Sequence, residues 1–248
     1  MIKDVSWLYE KPTAHRGLHN NKDLPENTMA AFKKAVENGY NIEFDVWLTD
    51  DNHLIIHHDN TLKRTCGIKM HPTKIDCSKI EQYKVMGTDE HIPFFEDFLK
   101  MVDGKINLIC EIKPTKRVEE TCIKVYETFQ KYNGKYCIES FDPRVVNWWH
   151  ENHPEIILGQ LYDNMNHLQR WYCLLKHQEK KVDFLAVCVK NLPYNPYIRI
   201  KKNNPEKIIV TWTVRTNEDL EKAKKYADAY IFECNDKNPE YIEKPSLT

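Results

Sequence analysis

The chain has 248 residues, enough for one large domain or two small ones and for a sizeable core without help from disulfides. Lysine and arginine number 36 against 37 acids, a formal net charge of -1, so no global basic field attracts nucleic acid or anionic lipid. Only seven glycines are present, against roughly 17 at average usage, and no two lie close together, which excludes the clustered-glycine loops that bring backbone amides to a dinucleotide or a phosphate.

Residues 1–17 mix acids and bases without the apolar core of a signal peptide, and runs such as Phe184 to Val189 fall far short of the about 20 residues of a membrane span. A cytoplasmic protein without a transmembrane segment is expected. In chain order, a β-rich run over Thr13 to His15 precedes a helical pattern over Thr28 to Asn38, with Met29, Phe32 and Val36 on one face, Asn27 as N-cap and Gly39 as stop. Further β-rich runs cover Ile42 to Leu48, Asn107 to Ile112, Lys135 to Phe141, Ile156 to Leu161, Asp183 to Val189, Lys207 to Val214 and Ala229 to Glu233. Helical patterns fall between them at Phe94 to Val102, Val118 to Tyr132, Pro143 to Asn152, Asn166 to Gln178 and Asn217 to Tyr226, the last capped by Asn217. Eight strands alternating with helices predict an α/β fold, a (βα)8 TIM barrel formed as a single domain over residues 1–248. A doubly wound open sheet, the competing architecture, would manage with fewer strands. The stretch between His58 and Glu111 is a short insertion between the second and third barrel strands, too short for a lid domain. The eight cysteines show no C-x-x-C pair and read as free, mostly buried thiols.

In a barrel the chemistry belongs at the C-terminal ends of the strands. In Asn41 to Leu48, strict alternation puts Ile42, Phe44, Val46 and Leu48 on one face and Glu43 and Asp45 on the other. Two carboxylates facing a barrel lumen repel unless a cation joins them, so the pair points to a hard divalent metal. Glu111, in Asn107 to Pro114, would complete a three-carboxylate site, and Lys113 on the same face can serve as its ion-pair partner, as a phosphate holder, or as both. Histidines supply groups that titrate near neutrality: His15 ends the first strand, and of the adjacent His57 and His58 only one can face the site, a choice that periodicity leaves open.

His15-Arg16-Gly17, Pro25-Glu26-Asn27-Thr28, Glu43-Phe44-Asp45-Val46 with Leu48-Thr49, and His58-Asp59-Asn60-Thr61-Leu62 with Arg64-Thr65 together resemble, in order and spacing, the N-terminal signature of the glycerophosphodiester phosphodiesterase family. Glu111-Ile112-Lys113-Pro114, Ser140-Phe141 and Thr211-Trp212-Thr213-Val214 extend the resemblance along nearly the whole chain, and the family is a TIM barrel. The resemblance implies Glu43, Asp45 and Glu111 as ligands of a divalent ion (Mg2+ or Ca2+, with Mn2+ as a substitute) and His15 and His58 as a general acid/base pair. It implies phosphate contacts from Arg16 and Lys113, and Trp212 as a wall of the glycerol end of the pocket. Glu26 and Asn27 are expected to brace the metal site and cap the first helix rather than to ligate. The sequence departs from the family pattern at Phe232 to Asp236, which bears on substrate fit near the eighth strand.

The implied reaction is metal-assisted hydrolysis of a small-molecule glycerophosphodiester, such as glycerophosphocholine or glycerophosphoethanolamine, to sn-glycerol 3-phosphate and an alcohol. A phospholipase C-like or lysophospholipase D-like enzyme on lipid would need an exposed apolar rim, for which Trp148-Trp149 and Trp171-Tyr172 are the candidates. A catalytically silent barrel kept as a binding module would be expected to have lost a histidine or carboxylate, and this chain retains all five.

Overall fold

A computed structural model of the chain describes residues 3–163, 178–193 and 195–233. Cys173, Trp171-Tyr172, the stretch from Cys234 to Asp236 and all but the last residue of the helical pattern expected over Asn166 to Gln178 lie outside the described residues. The fold is a (βα)8 TIM barrel: β1 (Thr13–His15), β2 (Asn41–Leu48) and β4 (Leu108–Ile112) through β9 are its eight strands, and β3 (Leu54–Ile56) is an antiparallel addition to β2. Two compact units make up the chain, residues 14–136 and residues 1–13 with 137–248.

In the 14–136 unit, β2 pairs with β4 in parallel, with Asp45 opposite Glu111. The alternation expected of β2 is present, and both of its faces are buried. Phe44 packs against Phe95 and Phe98, at ring separations of 5.3 and 4.6 Å, and Phe98 against Phe32 at 4.3 Å. This aromatic layer fixes helices Met29–Glu37 and Phe95–Val102 over the apolar face of β2. Glu43 and Asp45 therefore point the other way, at 2% and 0% exposure. The insertion between β3 and β4 is short, as expected. It contains the one-turn helix Lys63–Cys66 and two 3-10 segments, packed around a satellite core of Trp47, Ile55, Leu62, Ile75, Ile80 and Ile92.

The cap of the first helix differs from the sequence expectation. Thr28, not Asn27, occupies the N-cap and accepts from the Ala31 amide, because the Asn27 side chain is engaged by Asp45. Helix Asn217–Tyr226 likewise starts at the residue expected to cap it, and Thr216 is the cap. Gly39 ends the first helix in the left-handed conformation, φ +72°, as its position predicts.

In the second unit, β5 (Tyr136–Ser140), β6 (Ile157–Tyr162), β7 (Phe184–Cys188), β8 (Ile208–Val214) and β9 (Ala229–Phe232) pair in parallel in chain order. Gly159 on β6 sits opposite Phe184, whose ring would lie 2.2 Å from a Cβ there, so the glycine makes room for the aromatic side chain. Helix Pro143–Asn152 is present as expected, capped by Asp142. It buries Trp149 completely, so this residue supplies core rather than an apolar rim for lipid, and Trp148 lies half-buried beside it. Helices Trp7–Glu10 and Asn195–Asn203 were not expected from the pattern. The six described cysteines are free and five of them are buried. No helix among the described residues is long and apolar enough to cross a membrane.

Candidate active site

The 14–136 unit brings together nine of the ten residues singled out by sequence. The β2–β4 register sets Asp45 beside Glu111, and Glu43, two residues back, shares their side of the sheet. One carboxylate oxygen from each of Glu43, Asp45 and Glu111 lies within 4.8 Å of the others, and all three residues are buried. Lys113 continues past the end of β4, its amide donating to the Val46 carbonyl at 3.1 Å. Its Nζ sits 2.7 Å from Asp45 Oδ1 and 2.7 Å from Glu111 Oε1. Of the two roles open to Lys113 in sequence, the ion-pair one is therefore realised.

The electrostatics follow from packing three acids and one ammonium out of water. Burial pushes the Glu111 carboxyl up to about 7 against the opposing pull of Lys113. Burial would raise Asp45 as well, but Lys113, His58 and Arg16 hold it well below the usual carboxylate range. Lys113 is itself held above its ordinary value: burial lowers it, and Asp45 and Glu111 more than reverse that. Such a set of hard oxygen donors, short of positive charge, suits a divalent cation.

A turn built from Arg16 (φ +55°) and Gly17 (φ +81°) follows His15 at the end of β1. Gly17 lies so close to the first helix that a Cβ would meet the Ala31 carbonyl carbon and a Phe32 ring carbon at 2.9 Å each. The turn delivers the Arg16 amide to Glu43 Oε2 at 3.1 Å and leaves His15 Nε2 3.8 Å from the same oxygen. The Arg16 guanidinium donates to Glu26 Oε1 at 2.7 Å, with Nε 3.5 Å from Asp45 Oδ2. Asn27, also in the left-handed region at φ +54°, donates through Nδ2 to Asp45 Oδ2 at 2.8 Å and through its amide to the Arg16 carbonyl at 2.9 Å. Glu26 and Asn27 thus touch the side chains of Arg16 and Asp45, beside the carboxylate cluster.

The two adjacent histidines have different surroundings. His57 is buried, its amide donating to the Asp45 carbonyl at 3.0 Å, and burial pushes its ring down to about 4. His58 is about one-third exposed, and its Nδ1 lies 2.7 Å from Asp59 Oδ1. Burial also lowers His58, with Asp45 opposing. A carboxylate only accepts, so the neutral His58 ring carries its proton on Nδ1 and leaves the Nε2 lone pair open. Arg64 then joins Asp59 to Glu26. In sequence, Asp59 and Arg64 stand out only as parts of a motif. An acid directly after a histidine, with an arginine five residues on, is the signal that could have singled them out. Trp212 belongs to the other unit: it lies half-buried on β8, edge-on to Phe141 at 5.7 Å.

Residues 15–232 match the model of the glycerophosphoryl diester phosphodiesterase family. A glycerophosphodiester phosphodiesterase of Caldanaerobacter subterraneus is 30% identical over 222 residues, covering 84% of this chain and 87% of that protein. Among solved structures, an Oleispira antarctica phosphodiesterase in complex with the product sn-glycerol-3-phosphate superposes with a TM-score of 0.77 at 20% identity, covering 95% of this chain and 96% of that one. The glycerophosphodiester phosphodiesterase of Thermotoga maritima superposes with a TM-score of 0.72 at 23% identity, covering 89% of this chain and 92% of the other. At these identities the structural likeness speaks for the fold.

Proposed function

The chain belongs to the glycerophosphoryl diester phosphodiesterase family, and from that premise we propose that it hydrolyses glycerophosphodiesters, such as glycerophosphocholine or glycerophosphoethanolamine, to sn-glycerol 3-phosphate and an alcohol. The observation that carries the reading is the buried cluster of Glu43, Asp45 and Glu111 beside Arg16, Lys113 and His58. Residues 1–248 then act as a single catalytic domain, with Trp212 as a wall of the glycerol end of the pocket.

Glu43, Asp45 and Glu111 would hold a divalent cation, Mg2+, Ca2+ or Mn2+. When bound, that cation supplies charge neutralisation and Lewis acidity at the phosphate. Arg16 and Lys113 place two further positive charges at the same spot, and both are held in fixed positions by their carboxylate partners, so little reorganisation is needed as charge develops on the phosphoryl oxygens. His15 and His58 divide the proton transfers: one takes the proton of the attacking hydroxyl and the other gives a proton to the departing alkoxide. The Nδ1 contact with Asp59 orients His58 so that Nε2 faces this task. Glu26 and Asn27 keep the Arg16 guanidinium and the Asp45 carboxylate in place.

The test is release of sn-glycerol 3-phosphate from glycerophosphocholine, compared with turnover of lysophosphatidylcholine vesicles. Wild-type protein is expected to turn over the water-soluble diester and to lose that activity as His15→Ala or His58→Ala. Turnover confined to the vesicles, or full activity in His58→Ala, would overturn the reading.

A further inference from the structure

Arg64 is a residue to which the reaction as derived gives no task, although its side chain reaches the site from the insertion. It lies in the one-turn helix Lys63–Cys66 with 43% of its side chain exposed. Every guanidinium nitrogen is nevertheless committed. Nε donates to Asp59 Oδ2 at 2.7 Å and Nη2 to Asp59 Oδ1 at 3.0 Å. Nη1 donates to Glu26 Oε2 at 2.9 Å and Nη2 also to Glu26 Oε1 at 2.7 Å. A planar fork that engages both oxygens of two carboxylates fixes their orientation as well as their charge, which a lysine ammonium cannot do.

Each carboxylate leads to a group that the reaction uses. Asp59 holds His58 Nδ1 at 2.7 Å, and Glu26 holds Arg16 Nη1 at 2.7 Å. We propose that Arg64 is a positioning residue: by locking Asp59 it keeps the neutral His58 ring in the Nδ1–H tautomer, with Nε2 directed to the reacting oxygen, and by sharing Glu26 with Arg16 it ties that ring to the phosphate-binding arginine. The proposal rests on the reading of His58 as a proton carrier. Removing Arg64 strands no buried acid, because Glu26 keeps Arg16 and the Asn21 amide, at 2.8 Å. Asp59 is left with the His58 ring and solvent and is free to turn. The consequence falls on the proton-transfer step rather than on the fold.

The experiment compares the full-length wild type with Arg64→Gln and Arg64→Lys. It measures kcat and KM on glycerophosphocholine with added Mg2+, Tm, and the His58 tautomer from long-range 1H–15N correlations of 15N-histidine-labelled protein at pH 8, assigned by difference with His58→Gln. The wild type is expected to hold a single Nδ1–H tautomer. Arg64→Gln should populate both tautomers and lose kcat by on the order of 10- to 100-fold, the scale for removing a group that orients a working side chain, with KM moved by no more than about twofold. Arg64→Lys, which restores the charge but not the fork, should fall between the two. If Arg64→Gln keeps the single Nδ1–H tautomer, and kcat stays within about twofold of wild type while Tm drops, Arg64 merely clamps the insertion and the proposal fails. A wild type inactive on every glycerophosphodiester would count against the proposed substrate class, and the tautomer measurement would still decide the role of Arg64.

Discussion

Gly17 is where the shape of the site meets the packing of the barrel, and Gly17→Ala perturbs both. The new methyl group would be held at φ +81°, where an L-residue is strained by about 1 kcal/mol. It would also meet the Ala31 carbonyl carbon and a Phe32 ring carbon at 2.9 Å, closer than carbon atoms pack. Phe32 cannot step aside easily, since it is fully buried with its ring 4.3 Å from that of Phe98, so an overpacking cost of about 1–3 kcal/mol is added. The expected loss is therefore about 2–4 kcal/mol, a large part of the stability of an ordinary domain. Gly39→Ala is the internal control: its φ of +72° carries the same strain, but nothing lies within 4 Å of the added methyl, so it should lose only about 1 kcal/mol. Urea unfolding of the two variants and wild type, analysed with a common m-value, gives the difference directly. Gly17→Ala should also lower turnover, because His15 and Arg16 lead into that turn, whereas Gly39→Ala should not. Equal losses of stability in the two variants would refute the close approach of Gly17 to the helix.

Lys113→Met removes the ammonium between Asp45 and Glu111 and should destabilise the metal-free protein by about 3–5 kcal/mol, read as a fall in Tm that millimolar Mg2+ partly reverses. An unchanged Tm without metal would contradict the arrangement. His57 gives a pH prediction. Its ring is pushed from about 6.5 down to about 4 in the folded chain, so between those values the unfolded chain binds the proton and the folded one does not. Its contribution to stability is undiminished above pH 6.5 and is lost as pH falls towards 4, by about 3 kcal/mol in all. The slope of unfolding free energy against pH should be shallower in His57→Gln than in wild type over that window, and identical slopes would count against a buried neutral ring.

Much of the site was legible because strand alternation is a local rule. Glu43 and Asp45 could be assigned to one face of β2 from the apolar residues between them, and Glu111 with Lys113 from the same rule on β4. The β2–β4 register that sets Asp45 beside Glu111 was not legible, since it depends on how two strands 60 or so residues apart in sequence pair. The same limit explains the cap of the first helix: Asn27 is as good an N-cap as Thr28 in isolation, and only the contact with Asp45 takes it out of competition. Periodicity could not choose between His57 and His58 because a three-residue strand ends just before them. Helix Asn195–Asn203 is not legible in the sequence because proline at its second position and a lysine-rich end mask a weak apolar face. The link from Arg64 to Glu26 was out of reach, since it spans 38 residues, although Arg64 itself stands in the motif that follows His58.

The most direct measurement is glycerophosphocholine turnover by enzyme stripped with EDTA, then supplied in turn with Mg2+, Ca2+ or Mn2+, alongside Asp45→Asn carried through the same steps. The carboxylate cluster predicts no sn-glycerol 3-phosphate from the stripped enzyme, recovery with at least one of the three cations, and no recovery in Asp45→Asn. Undiminished turnover by the stripped enzyme would contradict a cation held by Glu43, Asp45 and Glu111.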